Sequence, residues 1–121
     1  MEAAHRVQLG LLKAFHEAVG RADGRAAAGV LLHQLLDYSE AHFVSEQILM
    51  REHAYPGYEA HVAEHDRLLE QLRQIALDWD RGDTVSLDQR AKRVEDWLLG
   101  HIRTTDHRLE QYMVELRSGS L

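Results

Sequence analysis

Three short breaker segments cut this chain of 121 residues into four stretches of helical period, and that division limits the fold more than any other feature. The breakers read RADG at 21–24, AYPG at 54–57 and RGDT at 81–84. Between them apolar residues recur at steps of three and four: Leu9, Leu12, Phe15 and Val19 in the first stretch, then Leu31, Leu32, Leu35, Leu36, Phe43, Ile48 and Leu49 in the second. Leu68, Leu69, Leu72, Ile75 and Trp79 mark the third, and Leu87, Ala91, Val94 and Leu98 open the fourth. The pattern predicts helices over 2–20, 25–52, 56–80 and 86–116, with the only proline, Pro56, starting the third and Ser86 capping the fourth. Connections this short force sequential helices to pack antiparallel. The expected fold is all-α, an up-down-up-down four-helix bundle forming one domain over 1–121.

The charge balance excludes several partners. Fourteen Lys+Arg against twenty Asp+Glu give a net charge of -6, and the basic residues form no stripe. No phosphate-tracking surface for nucleic acid is expected, and no anionic membrane surface as partner. Cysteine is absent, which rules out thiolate metal ligation, disulfides and thiol nucleophiles. The start MEAAHRVQ lacks a secretory pattern and no apolar run reaches the length of a spanning helix, so the expectation is a cytoplasmic domain, monomeric in isolation.

Nine histidines are unusual in a chain this short. Five of them, with one glutamate and one aspartate, stand at informative spacings: His5 alone, His42 with Glu46 in HFVSE, His61 with His65 in HVAEH, and His101 with Asp106 in HIRTTD. Residues four apart share a helix face, so His42 pairs with Glu46 and His61 with His65. Counting from each breaker, at about 1.5 Å per residue, places all four sets within about 5 Å of one height in the bundle. A core this small tolerates seven polar groups at one level only if cations neutralise them. The donors are nitrogen and oxygen, which suits iron better than a structural zinc site.

The step of five from His101 to Asp106 breaks the helical face. The apolar stripe of the fourth helix breaks there too, and resumes at Leu109, Met113 and Leu116. One extra residue absorbed at 102–105 as a π-type bulge would restore the register, and such bulges favour functional sites. The other histidines, His16, His33, His53 and His107, are read as surface residues or as neighbours of the ligands.

These residues carry a resemblance to the hemerythrin family, in its bacterial single-domain form. The likeness runs from His5 to about Met113 and includes residues beyond the candidate ligands: His42-Phe43, Leu49-Met50, Tyr55-Pro56, and Trp97-Leu98 before His101-Ile102. The resemblance implies that His61, His65 and His101 hold one iron, that His5 and His42 hold a second, and that Glu46 and Asp106 bridge the two irons with an oxo or hydroxo group. It further implies dioxygen as the ligand of the two-histidine iron, in a dry pocket. Leu98, Trp97, Phe43 and Leu9 are the candidate wall of that pocket.

The implied function is reversible dioxygen binding for storage, delivery or scavenging, with no enzymatic turnover. The alternative is an oxygen- or redox-sensing module joined to an effector domain in a longer signalling protein, because the sequence begins only four residues before His5. Gln47 stands where the family often places a second acidic residue, and is expected to matter little.

Overall fold

The computed structural model describes residues 2–21, 24–83 and 85–119; Ala22 and Asp23 of the first breaker and Thr84 of the third lie outside them. Helices α1 (Glu2–Val19), α2 (Arg25–Glu52) and α3 (Tyr58–Asp80) are followed by α4 (Leu87–His101). A π-helical turn over Ile102–Asp106 then leads straight into α5 (His107–Arg117), so the last three elements form one long rod. Among the described residues there is no strand. Contacts link α1 to α2, α2 to α3, α3 to α4 and α4 back to α1, which closes the four-helix ring that the breakers predict. No helix in the described residues is long and apolar enough to cross a membrane.

The largest boundary difference from the sequence expectation falls at the third helix, and the others amount to one residue. The third helix starts at Tyr58, two residues after Pro56, because a tight turn intervenes: the Tyr58 amide donates to the Tyr55 carbonyl at 3.2 Å. Ala54 takes a left-handed φ of 49° just before it. Ser86 does occupy the N-cap position of α4, but its side chain makes no capping bond and its φ is 59°. The polar group that orders this turn is Asp83, whose carboxylate accepts the Val85 amide at 3.2 Å. At the first connection the backbone runs so close that a Cβ on Gly24 would collide with the Ala18 carbonyl oxygen.

Apolar packing divides into two unequal bodies. The larger runs down the bundle through Leu12, Phe15, Leu32, Leu35, Leu68, Leu72, Val94 and Leu98. The smaller, built on Met50, Leu109 and Met113 with Tyr55, Tyr58 and Tyr112 against it, caps the end where α2 turns into α3. The Tyr112 hydroxyl donates to the His53 carbonyl at 2.8 Å and ties that end closed. The predicted ligand residues fill the layer between these two bodies.

Candidate metal centre

Every one of the seven predicted residues reaches this layer. His5, Glu46, His61, His65, His101 and Asp106 are buried, and the His42 side chain keeps only 10% of its surface exposed. The π-helical turn explains why Asp106 can be among them. A wide turn adds one residue per hydrogen-bonded loop, so the five-residue step from His101 brings Asp106 back to the inner face. The Thr104 hydroxyl donates to the Gly100 carbonyl at 2.7 Å, serving an acceptor where the regular ladder is displaced.

The two carboxylates divide their oxygens. Glu46 turns Oε1 to the Nε2 atoms of His61 (2.5 Å) and His65 (3.2 Å), and Oε2 to Nε2 of His42 (3.2 Å). Asp106 turns Oδ1 to Nε2 of His61 and of His101, both at 3.0 Å, and Oδ2 to Nε2 of His5 (2.9 Å). Three imidazoles thus meet one oxygen from each carboxylate, and the other two imidazoles meet the remaining oxygens. These separations are short, yet Nε2 of all five histidines, both Glu46 oxygens and Asp106 Oδ1 are buried without a properly aligned hydrogen bond. Buried polar atoms in that condition cost several kilocalories together unless something else satisfies them. Lone pairs converging on shared points are what a cation needs. On the three-histidine side, ligand atoms of Glu46, His61, His65, His101 and Asp106 all lie within 4.8 Å of one another. The donor set fits metal.

Protonation in the metal-free cluster tells the same story. Burial pushes the Glu46 carboxyl up, but contacts with His42, His61 and His65 outweigh it and hold the group well below the usual carboxylate range. Asp106 is lowered likewise: burial opposes, and His101, His5 and His61 prevail. Burial would lower His61, yet Asp106 and Glu46 drive it up to about 9, while burial wins at His65 and lowers it. Burial would lower His101 too, but Asp106 and Glu64 outweigh it and raise the group, so positive charge on these imidazoles answers the two buried carboxylates. A metal ion would compete with protons for these nitrogens.

Around the three-histidine set the supports are dense. Phe43 stacks on His65 with ring centres 3.9 Å apart and an interplanar angle of 4°, and Trp97 stacks on His101 at 5.2 Å and 11°. Glu64, which the sequence reading passed over, lies with Oε1 3.0 Å from Nδ1 of His101. Thr105, the π-turn residue next to Asp106, donates to both Glu64 oxygens at 2.9 and 2.7 Å. A carboxylate on Nδ1 fixes the tautomer that presents Nε2 to a metal. The signal for Glu64 was its place three residues after His61, on the same face of α3. For Thr105 there was none without the bulge. Gln47 also matters more than expected, since its amide lies 3.4 Å from Nδ1 of His65.

The two-histidine side is barer. The rings of His5 and His42 meet edge to face at 6.1 Å, and Tyr38 stacks beside His42 at 6.3 Å. A surface groove of about 470 Å³ reaches His42 and Glu46 between Ala4, Ser45, Ile48, Leu49 and Glu52. A second, of about 320 Å³, reaches His5 beside Ile102, Arg103, His107 and Glu110. Of the expected pocket wall, Leu98 is fully buried and Leu9 partly so, while Phe43 and Trp97 lie against the three-histidine set as described. His107 is exposed, and His16 and His33 pair near the surface with Asp88 and Asp80. His53 bonds back to the Leu49 carbonyl (2.9 Å), so none of the four enters the cluster.

With this geometry in view, the comparisons decide the family. Residues 1–112 match the model of the hemerythrin HHE cation binding domain. The chain belongs to the hemerythrin family. Bacteriohemerythrin of Stenotrophomonas maltophilia is 29% identical to it over 127 residues, covering 98% of this chain and 82% of that protein. Myohemerythrin of Sipunculus nudus is 33% identical over 75 residues, covering 62% of this chain and 57% of its own. The crystal structure of a wild-type hemerythrin superposes with a TM-score of 0.78 at 28% identity, over 86% of this chain and 79% of that one. As a hemerythrin fold, the bundle has its His, Glu and Asp cluster in the layer between two apolar bodies, suited to holding metal.

Proposed function

We propose that this hemerythrin is a non-haem di-iron protein that binds dioxygen reversibly and does not turn it over. One observation carries the reading: Glu46 and Asp106 each give one oxygen to the three-histidine set and the other to the two-histidine set, so two cation positions share both carboxylates. His61, His65 and His101 would hold the first position, and His5 and His42 would hold the second, which has one imidazole fewer. Family membership supports iron at both. The irons would supply the electrons that dioxygen draws on as it binds and returns as it leaves.

The chain's own residues do the rest. Glu64 keeps the Nδ1 proton of His101 in place, so Nε2 stays free to ligate. Thr105 holds Glu64 through its single hydroxyl proton, shared between the two carboxylate oxygens, and thereby ties the π-helical turn to α3. Phe43 and Trp97 cover the faces of His65 and His101 and shut water out of the three-histidine side. Leu98, one turn before His101 and fully buried, forms part of the floor beneath the layer. The access grooves reach only His5, His42 and Glu46, so the short-handed position is also the reachable one.

The test is the optical spectrum of the reduced, iron-loaded protein under nitrogen, then air, then nitrogen again. Charge-transfer bands that rise with oxygen and vanish on its removal support the reading. Bands that appear once and persist would show irreversible oxidation and point to turnover.

A further inference from the structure

A buried polar pair lies near the centre of the bundle, outside the metal-centre cluster. Gln8 on α1 and Ser39 on α2 are 1% and 0% exposed, and the Gln8 amide donates to the Ser39 hydroxyl oxygen at 3.0 Å. Gln8 follows His5 by one helical turn, and Ser39 precedes His42 by one turn on the antiparallel helix. The pair therefore lies about 4.5 Å below the two-histidine layer along the bundle axis, level with Leu98 on α4. The floor on this side is not uniformly apolar.

The hydrogen-bond inventory leaves a surplus. An amide nitrogen has two N–H groups and a serine hydroxyl has one O–H. The single bond uses one amide hydrogen and one of the two serine lone pairs, and neither side chain makes another hydrogen bond among the described residues. One N–H and one O–H remain as donors inside the bundle, one helical turn from His5 and His42. A contact that served only to join α1 and α2 would gain more from apolar residues in a layer whose α4 member is Leu98. Leaving donors over makes sense when an acceptor arrives from elsewhere.

We propose that Gln8 and Ser39 form a hydrogen-bonding subsite for the outer end of a small acceptor ligand held at the two-histidine position. The chemical class is a diatomic or linear triatomic molecule with a lone pair on its far atom. This rests on the two-metal reading above. It makes the pocket selective for ligands that accept a hydrogen bond over those that only fit, and it replaces the wholly dry wall expected from the sequence.

Azide is the probe, titrated into the oxidised, iron-loaded protein and followed by its charge-transfer band, with iron content measured on the same samples. Gln8→Leu should retain two irons and weaken azide about tenfold, the worth of one hydrogen bond. Ser39→Ala should weaken it in the same direction. Gln8→Met, which keeps length and packing, guards against a fold defect in the leucine variant and should match it. Two irons with azide affinity within twofold of the parent in all three variants would overturn the subsite and leave the pair as an inter-helix contact. Fewer than two irons in the parent protein itself would instead remove the two-metal reading, and the subsite with it.

Discussion

The three histidines from α3 and α4 and the two from α1 and α2 face the same pair of carboxylates, but their surroundings are opposite in kind. His61, His65 and His101 are sealed: two stacked aromatic rings cover them, Glu64 fixes a tautomer, and Thr105 fixes Glu64. His5 and His42 have two surface grooves at their flanks and a polar pair with spare donors one turn below. On the proposed reading, the first half would keep a metal and the second would admit a ligand. The two carboxylates shared by both halves come from α2 and from the π-helical turn, not from α1 beside His5.

The strongest break of this comparison removes what both halves share. Glu46→Ala takes one oxygen from each position, so iron per chain should fall from two to near zero in one step, measured by elemental analysis after anaerobic loading. Retention of one iron would mean that the carboxylate serves only one half.

Leu98→Ala opens the floor without touching a ligand. Stability should drop by about 2–5 kcal/mol, as for other buried Leu→Ala changes. Iron content should stay at two, and oxidation of the reduced protein in air should speed up as water reaches the short-handed position. Both proteins must be compared at a temperature where each is folded. Unchanged oxidation with lower stability would make Leu98 ordinary core.

Glu64→Gln sharpens the contrast from the sealed side. Loss of an anionic partner on a ligating imidazole weakens metal by about 10–100-fold, and only the tighter of two iron affinities should move. Competition with a calibrated chelator reads this directly; a matched shift of both affinities would contradict the division of labour.

A smaller effect appears with pH in the metal-free protein. His61 has a folded-state pKa raised from 6.5 to about 9, so its proton stabilises the fold fully below pH 6.5, and that stabilisation is lost as pH rises through 9. Denaturant midpoints should fall over that window in metal-free protein and stay level in the iron-loaded form, where cations replace the proton. The lowered Glu46 and Asp106 act at the other end, losing their contribution only as pH falls through the acid range. Equal slopes with and without metal would show that His61 does not carry the compensating charge.

Much of this was legible in the sequence because helical periodicity is local and strong. The four helices, the antiparallel ring and the wide turn at 102–106 all follow from the spacing of apolar and ligand residues, and the structure shows each of them. The start of α3 at Tyr58 departs from the start at Pro56 that the spacing predicts, since a proline compatible with a first helical turn is equally compatible with the turn before it. Glu64 and Thr105 were missed for a different reason. Their partners lie 37 and 41 residues away along the chain, so only three-dimensional packing brings them together. Gln8 lies three residues past His5 and is buried against Ser39 of α2, a contact 31 residues away that no local spacing shows.

The asymmetry itself is open to one direct measurement: the time course of iron release from the loaded, anaerobic protein into excess ferrous chelator. Two phases of equal amplitude, one iron per chain in each, are predicted, with the fast phase absent from His5→Ala and retained in His107→Ala. A single phase carrying both irons, or a fast phase that survives His5→Ala, would contradict the picture of one guarded position and one exchangeable one.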